Sequence, residues 1–169
     1  YEGIDVPYSA QNLVGYSNDG AKFDGVGDYV YRFDVDSPSY PFSLKCQFNR
    51  NTSGHVLSIS SDTSATFYMA VRVVSTKVFV TRRDSGGTYS TAFDFVSDQN
   101  VWYDLEVVFV SETEISLYID GELFEAKTGQ DSYTPTGSQL DVFLVGNTRY
   151  VSGTDYFDGI IAAAEYKNN

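Results

Sequence analysis

The sequence predicts an all-β fold, a two-sheet antiparallel β-sandwich. Three observations carry this. Apolar residues recur at every second position in run after run. The runs are short and bounded by Gly, Asn, Asp and Ser clusters. No window sustains the 3.6-residue period of a helix, and without helical crossovers strands pair antiparallel and bury their apolar faces by stacking as two sheets. Composition agrees: 14 Tyr and 12 Phe stand against one Trp and one Met, and Tyr, Phe, Val and Thr suit half-buried pleated surfaces.

Ten strands are expected, over residues 28–33, 42–49, 55–60, 67–74, 77–83, 102–110, 114–120, 122–127, 140–146 and 157–166. In 42–48, Phe42, Leu44, Cys46 and Phe48 alternate with Ser43, Lys45 and Gln47. In 67–74, Phe67, Met69, Val71 and Val73 form the apolar face, leaving Tyr68 and Arg72 on the other. On 77–83, Val78 and Val80 share a face with Arg82 while Phe79 and Thr81 share one with Arg83, so either arginine can face outward. In 102–110, Tyr103, Leu105, Val107 and Phe109 are assigned to the core, with Trp102, Asp104, Glu106 and Val108 opposite.

Turns come from residues that tolerate positive φ: Asn18-Asp19-Gly20, Ser85-Gly86-Gly87 and Asp120-Gly121. Asp120-Gly121 closes a tight hairpin between 115–119 and 122–126. The Gly, Ser, Thr and Asp-rich stretch 128–138, with Pro135, reads as a long surface loop.

The 169 residues fit one domain, 1–169. A formal net charge of −12 repels phosphate backbones and anionic headgroups, which argues against nucleic acid as a partner. No apolar run reaches the roughly 20 residues of a bilayer span. Opening on Tyr1, the chain reads as a piece of a longer protein whose other domains are possible partners. Cys46 is the only cysteine, so no internal disulfide forms, and its alternating position marks a buried small hydrophobe.

Three ordered motifs then resemble one family. Ala21-Lys22-Phe23-Asp24-Gly25 followed by Asp28-Tyr29-Val30 resembles its opening strands. Trp102 and its alternating strand, followed by Leu117-Tyr118-Ile119-Asp120-Gly121, resembles its central hairpin. Val145-Gly146 leading to Tyr156-Phe157-Asp158-Gly159-Ile160 is similar to its closing strand. The family is the concanavalin A-like lectin/glucanase superfamily, in its laminin-G-like, pentraxin-like branch, and the match runs from about residue 21 to 166. The resemblance implies a jelly roll whose first and last strands share a sheet. It also implies a recognition domain on a secreted, cell-surface or virion protein. Some members hold calcium, so calcium is a possible ligand for Asp24, Asp28, Asp120 and Asp158. Turn capping is the simpler role for these four, and Ala162-Ala163-Ala164 stands where relatives carry acids.

The residues themselves point to binding without catalysis. Glucanases on this fold set two carboxylates about 5 Å apart on alternating positions of one strand. Here the nearest pairs are Asp104 with Glu106, which read as solvent-facing acids, and Glu112 with Glu114, at an expected turn. His55, the single histidine, lacks a nucleophile-elbow context and reads as an edge or loop residue. Sugar recognition needs aromatic faces and planar polar groups. The candidates are Tyr68, Arg72, Arg82 and Arg83, the last two suited to a carboxylate or sulfate, with a loop set of Tyr133, Asn147, Arg149 and Tyr150. Glycan or surface polysaccharide is the expected ligand. A structural or protein-adhesion domain without a sugar site is the alternative, and a polysaccharide hydrolase or lyase a third.

Overall fold

A computed structural model describes residues 9–11, 15–17, 20–133, 140–148 and 156–168, with side-chain surroundings from residue 20 onward. Fourteen strands run through these residues: β1 Ser9–Gln11, β2 Gly15–Ser17, β3 Gly20–Asp24, β4 Tyr29–Arg32, β5 Phe42–Arg50, β6 Gly54–Ser60 and β7 Tyr68–Val74, then β8 Lys77–Asp84, β9 Gly87–Phe93, β10 Trp102–Ser111, β11 Glu114–Ile119, β12 Glu122–Lys127, β13 Val142–Val145 and β14 Asp158–Asn168. All ten expected strands are present. The four extra ones are β1, β2, β3 and β9. Gly87-Thr88-Tyr89-Ser90 looks like turn composition, yet β9 forms because its partner β8 supplies a full ladder, from Asp84 with Gly87 to Val78 with Phe93.

Two seven-stranded antiparallel sheets result. The first runs β1-β4-β13-β6-β7-β8-β9 and the second β12-β11-β10-β5-β14-β3-β2. The strand of the first Phe-Asp-Gly motif, β3, lies beside the closing strand β14, with Asp158 paired to Asp24 and Gly159 to Phe23, while β1 and β4 belong to the other sheet. The repeated Phe-Asp-Gly sets Phe23 and Phe157 edge to face at 6.2 Å.

Between the sheets, each apolar alternation meets its counterpart. Leu44, Cys46 and Phe48 of β5, Leu105, Val107 and Phe109 of β10, and Met69, Val71 and Val73 of β7 are all fully buried. Phe42 and Phe109, directly paired across the ladder, stack at 4.6 Å. Burial pushes the Cys46 thiol far up in pKa, so it stays protonated and inert.

At the β11–β12 hairpin, Asp120 and Gly121 take φ of 52° and 83°, the left-handed pair a two-residue turn demands. Asn18 and Asp19 of the first expected turn lie outside the described residues, as do 134–138 of the expected long loop. Among the described residues no helix is long and apolar enough to cross a membrane.

Candidate functional site: the outer face of the first sheet

Register on β7 and β8 sorts the arginines. Met69 pairs with Arg82, Val71 with Val80 and Val73 with Val78, and all six are 0–1% exposed and turned toward the second sheet. The intervening pairs, Tyr68 with Arg83, Ala70 with Thr81 and Arg72 with Phe79, therefore share the outer face. The two adjacent arginines go to opposite sides of one sheet.

Arg82 and Tyr133, expected at a ligand surface, instead lie inside the sandwich. Each is 1% exposed. The Arg82 Nη1 donates to the Glu112 carbonyl at 3.0 Å. Burial pulls the guanidinium pKa down, opposed by the nearby Tyr40, Asp131 and Tyr133. The Tyr40 hydroxyl donates to the Tyr133 carbonyl. Burial pushes Tyr40 up to about 12 and Tyr133 beyond its ordinary range. Within the expected surface loop, Tyr133 thus turns into the core as an aromatic plug beside Arg82.

Asn147 lies elsewhere. Gly146, at φ 87°, turns the chain after β13, and the Asn147 carbonyl then accepts a hydrogen bond from Ser58 Oγ at 2.9 Å. Leu144 pairs with Ser58 and Ser58 with Ala70, so Ser58 is an outer-face residue and Asn147 folds onto the same face as Tyr68, Arg72 and Arg83. Arg149 and Tyr150 lie outside the described residues. His55, expected at an edge or loop, sits on the interior strand β6, 5% exposed and in register with Arg72.

The outer face so defined has a graded cross-section. Small residues, Ser58, Ser60 and Ala70, occupy β6 and β7 in the middle. Larger ones stand to either side: Tyr29 and Tyr31 on β4, with rings 5.7 Å apart, and Phe79 and Arg83 on β8. From β4 to β7 is three strand spacings, about 14 Å. Tyr68 is 7% exposed, so it is a nearly covered part of the floor and its ring is not an open stacking platform. The Ser60 Oγ and Thr148 Oγ1 are buried without a hydrogen-bond partner, and such hydroxyls ordinarily find a water or a ligand.

Charge separates the two faces. Described strand positions on the first sheet's outer face carry Arg72, Lys77 and Arg83 and no Asp or Glu. Lys77 is itself bonded to Asp94 just beyond β9. The second sheet's outer face carries Asp24, Asp104, Glu106, Asp158 and Glu165 together with Lys22, Lys45 and Lys167. Among the described strand positions the first sheet's outer face thus holds three cations and no acid, on a chain of net charge −12.

Sequence reasoning named Tyr68, Arg72 and Arg83, which register places on this face, and did not name Tyr31, Phe79 and Thr81, which share it. The signal was available: Val78 and Val80 are the only aliphatics on 77–83, so their face was the better core candidate.

The acids elsewhere do structural work. Asp104 and Glu106 face outward, and the Asp104 Oδ2 lies 3.2 Å from Lys45 Nζ, an ion pair that raises the lysine pKa. Asp28 Oδ2 accepts the Asp24 N–H at 2.9 Å, Asp24 Oδ1 the Val26 N–H at 2.8 Å, Asp120 Oδ1 the Asp104 N–H at 2.9 Å, and Asp158 Oδ1 the Asn51 amide at 2.8 Å. Asp24 and Asp28 thus carry local hydrogen bonds of the capping kind, whereas Asp120 ties its turn to β10 and Asp158 bonds a side chain distant in sequence. Among the described residues no three His, Cys, Asp or Glu are grouped to hold a metal ion.

A family model described as the concanavalin A-like lectin/glucanases superfamily matches residues 13–165. No curated protein matches the chain. Among solved structures, mouse laminin alpha1 chain domains LG4-5 superpose with a TM-score of 0.67 at 18% identity, covering 88% of this chain and 40% of that one. Domain 4 of AbnA, a GH43 extracellular arabinanase from Geobacillus stearothermophilus, in complex with arabinotriose, gives 0.69 at 13%, covering 99% and 77%. The botulinum neurotoxin serotype D ligand binding domain in complex with N-acetylneuraminic acid gives 0.66 at 14%, covering 96% and 42%. The chain spans about two-fifths of the laminin and neurotoxin chains.

Proposed function

Because the chain belongs to the concanavalin A-like lectin/glucanase superfamily, as a laminin-G-like jelly roll, we propose that it is a non-catalytic recognition domain that reads an acidic glycan on the outer face of its first sheet. The observation that carries this reading is the absence of any Asp or Glu from that face's described strand positions, where Arg72 and Arg83 stand beside Phe79, with the Tyr29–Tyr31 pair across the sheet on β4. Guanidinium groups fork onto carboxylates and sulfates, and aromatic rings pack on the C–H surfaces of sugars. The floor residues Ser58, Ser60 and Ala70 are 0–1% exposed, so the accessible part of this face is its rim at Arg72, Phe79, Thr81 and Arg83. Two structural neighbours were solved with sugars bound, arabinotriose and N-acetylneuraminic acid, which supports glycan as the ligand class. The same neighbours, a secreted arabinanase and a toxin, support an extracellular or surface setting within a longer protein.

Catalysis is not part of this reading. Asp104 and Glu106, at alternating positions of one strand, lie on the opposite sheet's outer face, and Asp104 is tied there to Lys45.

A glycan array spanning sialylated, uronate, sulfated and neutral chains tests the proposal. Binding to acidic glycans is expected, weakened about tenfold or more by Arg72→Ala or Arg83→Ala, roughly 1.4 kcal/mol each, and weakened further by added salt. Silence across all acidic chains rejects the reading and favours a protein-adhesion domain.

A further inference from the structure

The chain's single tryptophan is on the other sheet, on a face where period-two alternation puts solvent. Trp102 pairs in register with Asn49 and Asp104 with Gln47, so these four side chains form a two-by-two block on the outer face of β5 and β10. Trp102 is 40% exposed. Beside it opens a recess of about 200 Å³ lined by Gln47, Trp102, Tyr103, Asp104 and Asp120.

The recess is polar and pre-organised. Asp104 is held by Lys45 at 3.2 Å, and Asp120 by the Asp104 N–H at 2.9 Å, with the Asp120 N–H returning a bond to the Asp104 carbonyl at 2.7 Å. One oxygen of each carboxylate is thereby fixed, while the second is engaged by no described group. The Gln47 and Asn49 amides and the Trp102 indole N–H likewise have no intramolecular partner among the described residues.

From this geometry we infer that the recess is a second binding site, for one ring of an uncharged sugar. An indole face, two primary amides and two carboxylate acceptors are the group types that pack on a pyranose or furanose ring and read its hydroxyls. The volume falls below the roughly 300 Å³ at which drug-sized sites begin, which limits the occupant to about one ring. Two carboxylates against one lysine repel an anionic sugar, so this site and the arginine face select opposite ligands. The inference does not depend on the first sheet binding anything.

A single tryptophan makes the test specific to this place. Selectively excited tryptophan emission is titrated with arabinotriose, xylotetraose and cellotetraose, and in parallel with trigalacturonate. At least one neutral oligosaccharide is expected to change the emission saturably, with a Kd of about 1 mM, and trigalacturonate is not. Gln47→Ala, at an exposed position where folding is not at stake, is expected to weaken that binding at least tenfold, and Arg83→Ala to leave it unchanged. The inference is overturned if no neutral oligosaccharide acts up to about 20 mM, if Gln47→Ala titrates like the parent, or if Arg83→Ala abolishes the signal. An array silent for acidic glycans while this titration saturates would remove the first site and keep the second.

Discussion

Glycine 146 shows how far a single position is determined by its surroundings. Its φ is 87°, and a Cβ there would overlap the ring of Phe23, a fully buried core residue. Gly121 has a similar φ of 83° but nothing within 4 Å of that added atom. Gly146→Ala is therefore expected to cost about 2–4 kcal/mol, backbone strain plus overpacking, and Gly121→Ala only about 1 kcal/mol; denaturant unfolding of the two variants measures the difference. Asp28 is a second such position. It is 1% exposed, its Oδ1 is buried without a partner, and burial raises its pKa above the ordinary carboxylate value. A carboxyl with a raised folded pKa favours its protonated form in the native state, so its contribution to stability falls as pH rises from the unfolded value through the folded one. Asp28→Asn keeps an acceptor for the Asp24 N–H and is expected to flatten that part of the pH profile while leaving neutral-pH stability equal or higher. Thermal melts across the acid range check this.

At the scale of the strand, β8 carries the main lesson. Period two says that Arg82 and Arg83 must face opposite ways, and the sequence alone left open which faced outward. The registers of β7 and β9 decide it, by setting Val78 and Val80 against Val73, Val71, Thr91 and Phe93. Arg82→Ala is expected to lose about 2–4 kcal/mol, since it strips a buried group from Tyr40, Tyr133 and the Glu112 carbonyl. Arg83→Ala, at an exposed position, is expected to stay within about 0.5 kcal/mol. Unfolding curves of the pair read this directly. The same element scale explains what was legible. Strands with dense alternation, β5, β7 and β10, were readable because Leu44, Val71 or Val107 can only be buried. The edge strand β9 was not, since Thr88, Ser90 and Ala92 become strand residues only through their ladder to β8. Tyr133 was misplaced for a related reason: nothing local in a Ser-Tyr-Thr-Pro segment records that Tyr40 and Arg82, far away in sequence, leave a gap that its ring fills.

For the whole molecule, stacking two sheets creates two outer faces, and the chain has made them chemically different. One bears Arg72, Lys77 and Arg83 with a floor of small residues. The other bears most of the acids at described strand positions and the tryptophan recess. This asymmetry was invisible in the net charge of −12, an average over both faces. It emerges only when register assigns each side chain to a side. The fold was legible because it depends on alternation and turns, both local. The site was half legible because it depends on which alternate face meets the other sheet. Chemical-shift mapping of the labelled protein with a sialylated or uronate oligosaccharide addresses the central claim most directly. The account predicts perturbations clustered at Arg72, Phe79, Thr81 and Arg83, fading as salt is raised. Perturbations confined to the second sheet, or none at all from a ligand the array scores as bound, would contradict it.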